Sequence, residues 1–357
     1  EDSYEPVIKD LNRIAKTFRD ARFKHGSVNF DTMELRFLLD EDGKPIAVYP
    51  RERKDAHKLI EEFMLLANKK VAEYVHELKQ TDPRNTMGYR IHEAPDPEKL
   101  RVFSSFAKKF GYQVTTEPKQ VSQSFNALME NIQGKAEENV LQSLAVRTMS
   151  KAKYSTDAIG HFGLAFPFYS HFTSPIRRYP DVMTHRLLQH YLDGGETKDR
   201  SPIEIQCKHS SDREKLASEA ERASIKYKQV EYMSLHEPQV FDGIITGVTE
   251  FGIFVEIGDT SCEGLVRMVD LNDDFYDLDK ENYRIVGKSN GRVFTFGDAV
   301  KVKVRDTNLA KRTIDLEMVG MRSGGGFANN RSRKREAPRG NRVIPKGSER
   351  RRNTGRR

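Results

Sequence analysis

The residue types best suited to chemistry crowd into one stretch. Gly160-His161-Phe162-Gly163-Leu164-Ala165-Phe166 is followed by His171-Phe172-Thr173-Ser174-Pro175-Ile176-Arg177-Arg178-Tyr179-Pro180-Asp181. A helix opening near Pro175 puts Arg177, Asp181 and His185 on one face and sets Arg178 beside Asp181. The helix macrodipole disfavours two guanidiniums at a helix start, so they call for an anion. A bound phosphate would serve, and so would an internal Arg/Asp ion-pair network; the residues alone leave both open.

These groups need a scaffold, and the hydrophobic pattern supplies one. Val7, Ile8, Leu11, Ile14, Ala15 and Phe18 recur at helical spacing within residues 4–24. Val28 to Leu39 and Ile46 to Tyr49 form a hairpin about Asp40-Glu41-Asp42-Gly43. Asp55 caps a helix to Leu78 that buries Leu59, Phe63, Leu66, Ala67 and Val71. A short extended segment, 88–92, precedes a helix opened by Asp96-Pro97 and ending at Gly111. Further helices are expected over 122–133, 136–151 and 175–192. A last one runs over 211–235, with a seam of Leu216, Ala220, Ala223, Tyr227, Val230 and Ser234, and Pro238 breaks it. From Val240 to Val319 the period falls to two in short, glycine-divided runs, which predicts a small five-stranded barrel of the oligonucleotide-binding type. The expected class is α+β: a mostly helical domain over 1–236, a barrel over 237–320 and a disordered tail over 321–357.

Charge is distributed unevenly. The net charge of the 357 residues is +7, yet the tail from Met321 holds thirteen Lys/Arg against two Asp/Glu, so the rest is slightly acidic. Such a tail suits nucleic acid. No apolar run reaches the roughly 20 residues that cross a bilayer, so no membrane partner is expected. Cys207 and Cys262 lie far apart without ligand spacing, which argues against a disulfide scaffold or a zinc site and fits a reducing cytoplasm. Glu1 opens on a segment that reads as mid-fold, so the chain is expected to be a piece of a longer protein.

The run His161-Phe162-Gly163-Leu164-Ala165 and His171 to Asp181, with His185-Arg186, resembles the signature of the RNB exoribonuclease family. Asp55 to Met64 with Ala67-Asn68, Tyr89-Arg90-Ile91-His92, and Glu214 to Arg222 agree with it. The barrel resembles the S-one RNA-binding domain. The resemblance covers about residues 1–320. It implies a processive, magnesium-dependent hydrolase that takes single-stranded RNA from the 3′ end and releases 5′-mononucleotides in RNA decay and quality control.

It also implies roles. Arg177, or less readily Arg178, contacts the scissile phosphate. Glu61 or Glu62 holds the 3′-terminal nucleotide, and Glu219 or Glu221 anchors nearby. Tyr89, His92, Thr173 and Ser174 are channel contacts, whereas His161 and His171 read as packing histidines. Phe251, Phe254 and Arg267, with Lys303 and Arg305, match the barrel's RNA face. Phe251 and Phe254 fall on opposite faces of a regular strand unless Gly252 bends it. The family's metal-binding aspartates are expected upstream of Glu1, because Asp40-Glu41-Asp42 and Asp273-Asp274 are turn acids and no metal ligand is found in this sequence. The expected partners are single-stranded RNA and ribosomes or RNA-decay complexes, with the chain a monomer. The alternative is a non-catalytic RNA-binding or tethering protein on the same scaffold.

Overall fold

The computed structural model describes residues 4–28, 35–79, 83–118, 120–135, 137–236 and 239–320. The basic tail, Pro238 and residues 29–34 of the run from Val28 to Leu39 lie outside the described residues.

Helix α1 (Glu5–Lys24) packs along α2 (Asp55–Leu78), and between them β1 (Leu35–Leu39) and β2 (Pro45–Pro50) form the antiparallel hairpin. The cap of α2 is one residue earlier than expected: Lys54 is the N-cap, and its amide donates to His57 Nδ1 at 3.1 Å. Its fully buried residues are Leu59, Glu62, Leu65, Asn68, Ala72 and Val75, so the inward face is turned from the apolar stripe. Glu62 and Asn68 take inward positions because each finds buried partners, which an apolar periodicity does not register.

Strands β3 (Tyr89–Ile91) and β4 (Lys153–Ser155) pair antiparallel and flank a helical cluster of α3 (Pro97–Lys109), α4 (Val121–Ile132) and α5 (Glu138–Thr148). Phe103, Phe125 and Leu141 fill the cluster, and Asp96 caps α3 by accepting the Glu98 and Lys99 amides. Helix α6 (Tyr179–Leu192) begins four residues later than expected, with Arg178 at its N-cap and a proline in its first turn. Residues 175–177 form a turn whose Ser174 carbonyl accepts the Arg177 and Arg178 amides. Arg177 therefore precedes the helix, and the expected stripe of Arg177, Asp181 and His185 on one helical face does not form.

Helix α7 (Arg200–Ser234) begins eleven residues before the expected start, capped by Asp199. Its buried residues are Ile203, Cys207, Ser210, Gln229, Val230 and Met233, whereas Leu216 and Tyr227 of the expected seam are exposed. The helix is buried at its two ends because it bridges two cores. Ile203 and Cys207 pack with Met183 and Leu187 of α6, and Val230 and Met233 enter the barrel core.

The barrel closes in the order β11 (Ala299–Asn308), β12 (Thr313–Met318), β7 (Cys262–Arg267), β6 (Gly252–Ile257), β5 (Val240–Thr249), with β11 returning to β5. Ile245, Ile253, Val255, Ile257, Val302, Val304, Ile314 and Leu316 alternate inward to fill it. A three-stranded sheet of β8 (Tyr276–Asp279), β9 (Arg284–Gly287) and β10 (Val293–Thr295) is inserted between β7 and β11, beyond the five strands expected. The barrel is also docked on the helices. Phe296 belongs to the α3–α5 core, the Arg147 guanidinium lies over its ring at 5.4 Å, and Tyr283 meets Phe106 edge-on at 5.2 Å.

Candidate nucleic-acid interface

A cleft of about 900 Å³ runs between α2 and the loop entering α6, with Arg51, Arg53, His57, Glu61, Asn68, Tyr169, Arg177 and Arg178 in its walls. Local structure decides which cations are available there. The Asp181 carboxylate is fully buried and accepts Arg178 Nε and Nη2 at 2.8 Å each, and the Ser174 amide at 2.7 Å. Across the loop, Asn68 Oδ1 accepts the Phe172 and Thr173 amides at 2.9 and 3.1 Å. The loop is thus pinned at both ends. Arg177 sits on it exposed, its guanidinium with no hydrogen-bond or ion-pair partner among the described residues. A free guanidinium held by a rigid turn is suited to a phosphate; one already forked onto a buried carboxylate is a structural tie.

The two glutamates on α2 separate in the same way. Glu61 lines the cleft and pairs with Arg53 at 2.6 Å. Glu62 is buried against Arg22, whose Nη1 also donates to Ser27 Oγ at 2.6 Å. Thr173 and Ser174 belong to the pinned loop, and Thr173 Oγ1 is buried without a hydrogen-bond partner among the described residues. Tyr89 stands in the core beside Met183 and Leu187, and burial pushes its hydroxyl up to about 12. His92 is bound on both nitrogens, to the Ser150 carbonyl at 2.8 Å and the Gly163 amide at 3.0 Å.

Behind the cleft lies an aromatic layer. Burial, reinforced by Arg178 and Arg90, pushes His171 down to about 2, and its Nδ1 accepts the Tyr154 hydroxyl at 2.8 Å. Burial and then His92 push His161 down to about 3. Both rings are neutral at ordinary pH and sit edge-on to Tyr169. Glu219 and Glu221 are on the exposed middle of α7, outside the cleft walls, whereas Glu214 pairs with Arg90 and ties α7 to β3. Asn68 and Tyr169 join the site without having been marked as site residues. The signal was that both lie within or beside the recognised stretches.

On the barrel, Gly252 adopts φ +148°, and a Cβ there would fall 2.1 Å from the Val266 carbonyl. That bend leaves Phe251 70% exposed just before β6, and Phe254 lies outside the barrel core over Gly247. Both rings face outward. Arg267 pairs with Asp270 at 2.7 Å, Arg305 reaches the same carboxylate at 2.7 Å, and Lys303 pairs with Glu317 at 3.2 Å. Among the described residues, no group of three or more His, Cys, Asp or Glu side chains is placed to hold a metal ion.

The RNB domain model matches residues 1–194, more than half of the chain. The chain belongs to the RNB domain family. The S1 RNA binding domain model matches residues 235–319, which contain the barrel of this RNB chain. Ribonuclease R of Aquifex aeolicus is 40% identical over 89% of the chain and 45% of its own length. Ribonuclease R of Escherichia coli is 32% identical over 89% of the chain and 40% of its own length. The RNB chain therefore spans less than half the length of these relatives. It is similar to the apo form of Mycoplasma genitalium RNase R, with a TM-score of 0.80 and 25% identity, over 87% of this chain and 49% of that one. Its fold is shared with yeast Ssd1, a pseudonuclease, at a TM-score of 0.59 and 20% identity over 85% of this chain and 36% of that one.

Proposed function

We propose that the chain is the RNA-guiding part of a processive 3′→5′ exoribonuclease that hydrolyses single-stranded RNA to 5′-mononucleotides in RNA decay and quality control. The unpartnered Arg177, on a loop pinned by Asn68 and Asp181 in a cation-lined cleft, carries this reading. Its guanidinium would offset charge that develops on the scissile phosphate. Glu61 would orient the terminal nucleotide, while the outward Phe251 and Phe254 rings would stack bases on the way in. A solved Mycoplasma genitalium RNase R in complex with ribose-methylated single-stranded RNA, 25% identical with a TM-score of 0.80, supports single-stranded RNA as the ligand.

Magnesium belongs to this reading, but the described residues do not fit it, because no carboxylate cluster stands among them. Its ligands would come from outside these residues, and the isolated chain would bind RNA without cleaving it. The second reading is a non-catalytic RNA-binding or tethering protein, favoured by that same missing cluster. In either case the proposed setting is a cytoplasmic monomer acting near ribosomes or RNA-decay complexes. Arg177→Ala decides between the readings in the whole protein. Loss of mononucleotide release with RNA affinity retained supports the nuclease, and no nuclease activity in the parent protein supports the binder.

A further inference from the structure

The Asn68 side chain has only one workable orientation. Its Oδ1 meets two amide N–H donors, from Phe172 and Thr173, so that atom must be the carbonyl oxygen. Nδ2 then faces the Tyr169 hydroxyl at 3.1 Å and donates to it. The Tyr169 oxygen is an acceptor in that bond, so its own hydrogen must point elsewhere. Among the described residues no acceptor takes it, although the ring is packed edge-on by His161 and His171. Tyr169 is only 5% exposed, yet it lines the cleft with Arg177 and Arg178.

An unused buried hydroxyl hydrogen is costly unless a ligand completes it. We infer that the Tyr169 O–H is an RNA-binding donor, directed by Asn68 at an oxygen of the ribose-phosphate backbone that lies against Arg177. Burial holds the Tyr169 hydroxyl above its ordinary range, so it stays protonated at neutral pH. The same Asn68 amide thus does two things: its oxygen pins the loop that carries Arg177, and its nitrogen turns the tyrosine toward the cleft. This inference rests on the cleft being an RNA site.

The test uses the 357-residue chain and a short oligouridine, with the NMR signal of the Arg177 guanidinium reporting whether the cleft is occupied. Tyr169→Phe is expected to weaken binding by about tenfold, the scale of a hydrogen bond to a charged group. Amide hydrogen exchange at Phe172 and Thr173 should be unchanged, because their acceptor is Asn68. A fluorinated tyrosine at position 169 keeps the shape with a stronger donor and should tighten binding. A 2′-deoxy oligonucleotide separates the two acceptors: an undiminished Tyr169→Phe penalty assigns the phosphate, and a vanished one assigns the ribose hydroxyl. A shifted Arg177 guanidinium signal with unchanged affinity in both Tyr169 variants overturns the inference alone. An Arg177 signal unmoved by bound oligouridine overturns the reading of the cleft.

Discussion

Arg178 closes a two-point fork on the buried carboxylate of Asp181, with both bonds at 2.8 Å, while its neighbour Arg177 has no partner among the described residues. Adjacent residues of the same type thereby have separable jobs: one holds the loop, the other faces the cleft. Arg178→Ala leaves a buried carboxylate unpaired and should cost about 3–5 kcal/mol. Chemical denaturation of this variant beside Arg177→Ala checks it, since the latter should fall within about 0.5 kcal/mol of the parent.

In the whole protein, Arg177→Ala should lower turnover by about 100-fold or more with little change in RNA affinity. Arg177→Lys should recover little, because an ammonium lacks the planar fork. Single-turnover rates measure both, and a near-normal rate for Arg177→Ala would remove this residue from the catalysis.

With magnesium and labelled single-stranded RNA, the chain as it stands should bind and leave the RNA intact. Resolving the products on a gel is sufficient. Steady release of mononucleotides would show that a metal site had been assembled from residues present in this chain.

Removing residues 321–357 should lower RNA affinity and flatten its salt dependence, since each lost phosphate contact changes the slope of log K against log salt by about 0.7 on a single strand. Equal slopes for the two proteins would make the basic tail a bystander.

The depressed His171 and His161 link stability to acidity. Each is neutral in the folded protein, at about 2 and about 3, whereas an unfolded histidine titrates near 6.5. The unfolded state therefore binds more protons between these limits, and stability rises with pH across that window. It is fully present above about pH 6.5 and declines as the pH falls. Lowering the pH from 7 to about 5 should cost about 1–2 kcal/mol per histidine, and His171→Gln should remove one share. Urea unfolding at both pH values reads it, and an unaltered pH dependence in His171→Gln would clear that residue of the effect.

Much of the fold was legible because helices and strands announce themselves by local period. The extents of α1 and α3 and the alternation in the barrel follow the local pattern, although of the α1 stripe only Ala15 is buried while Val7, Ile8, Leu11 and Ile14 are exposed. The start of α6 was not legible, because it depends on the Asp181 carboxylate reaching back to the Ser174 amide. The start of α7 was not legible for a related reason, although its end at Ser234 agrees with the expectation: its middle is exposed, and its first turns are buried by a core separate from the one at its end.

The chemistry divides along the same line. Residue type and spacing were enough to mark Arg177 and Arg178, and the resemblance to the RNB family and the S-one domain marked the α2 glutamates and the barrel phenylalanines. Which arginine is free, which glutamate meets the cleft and where the Tyr169 hydroxyl points were decided by tertiary structure. Asn68 and Tyr169 are 101 residues apart in sequence and share one hydrogen bond, and Arg22 and Glu62 meet across 40. A polar side chain's role is set by the partner that folding brings to it, and no periodicity in the sequence encodes that partner.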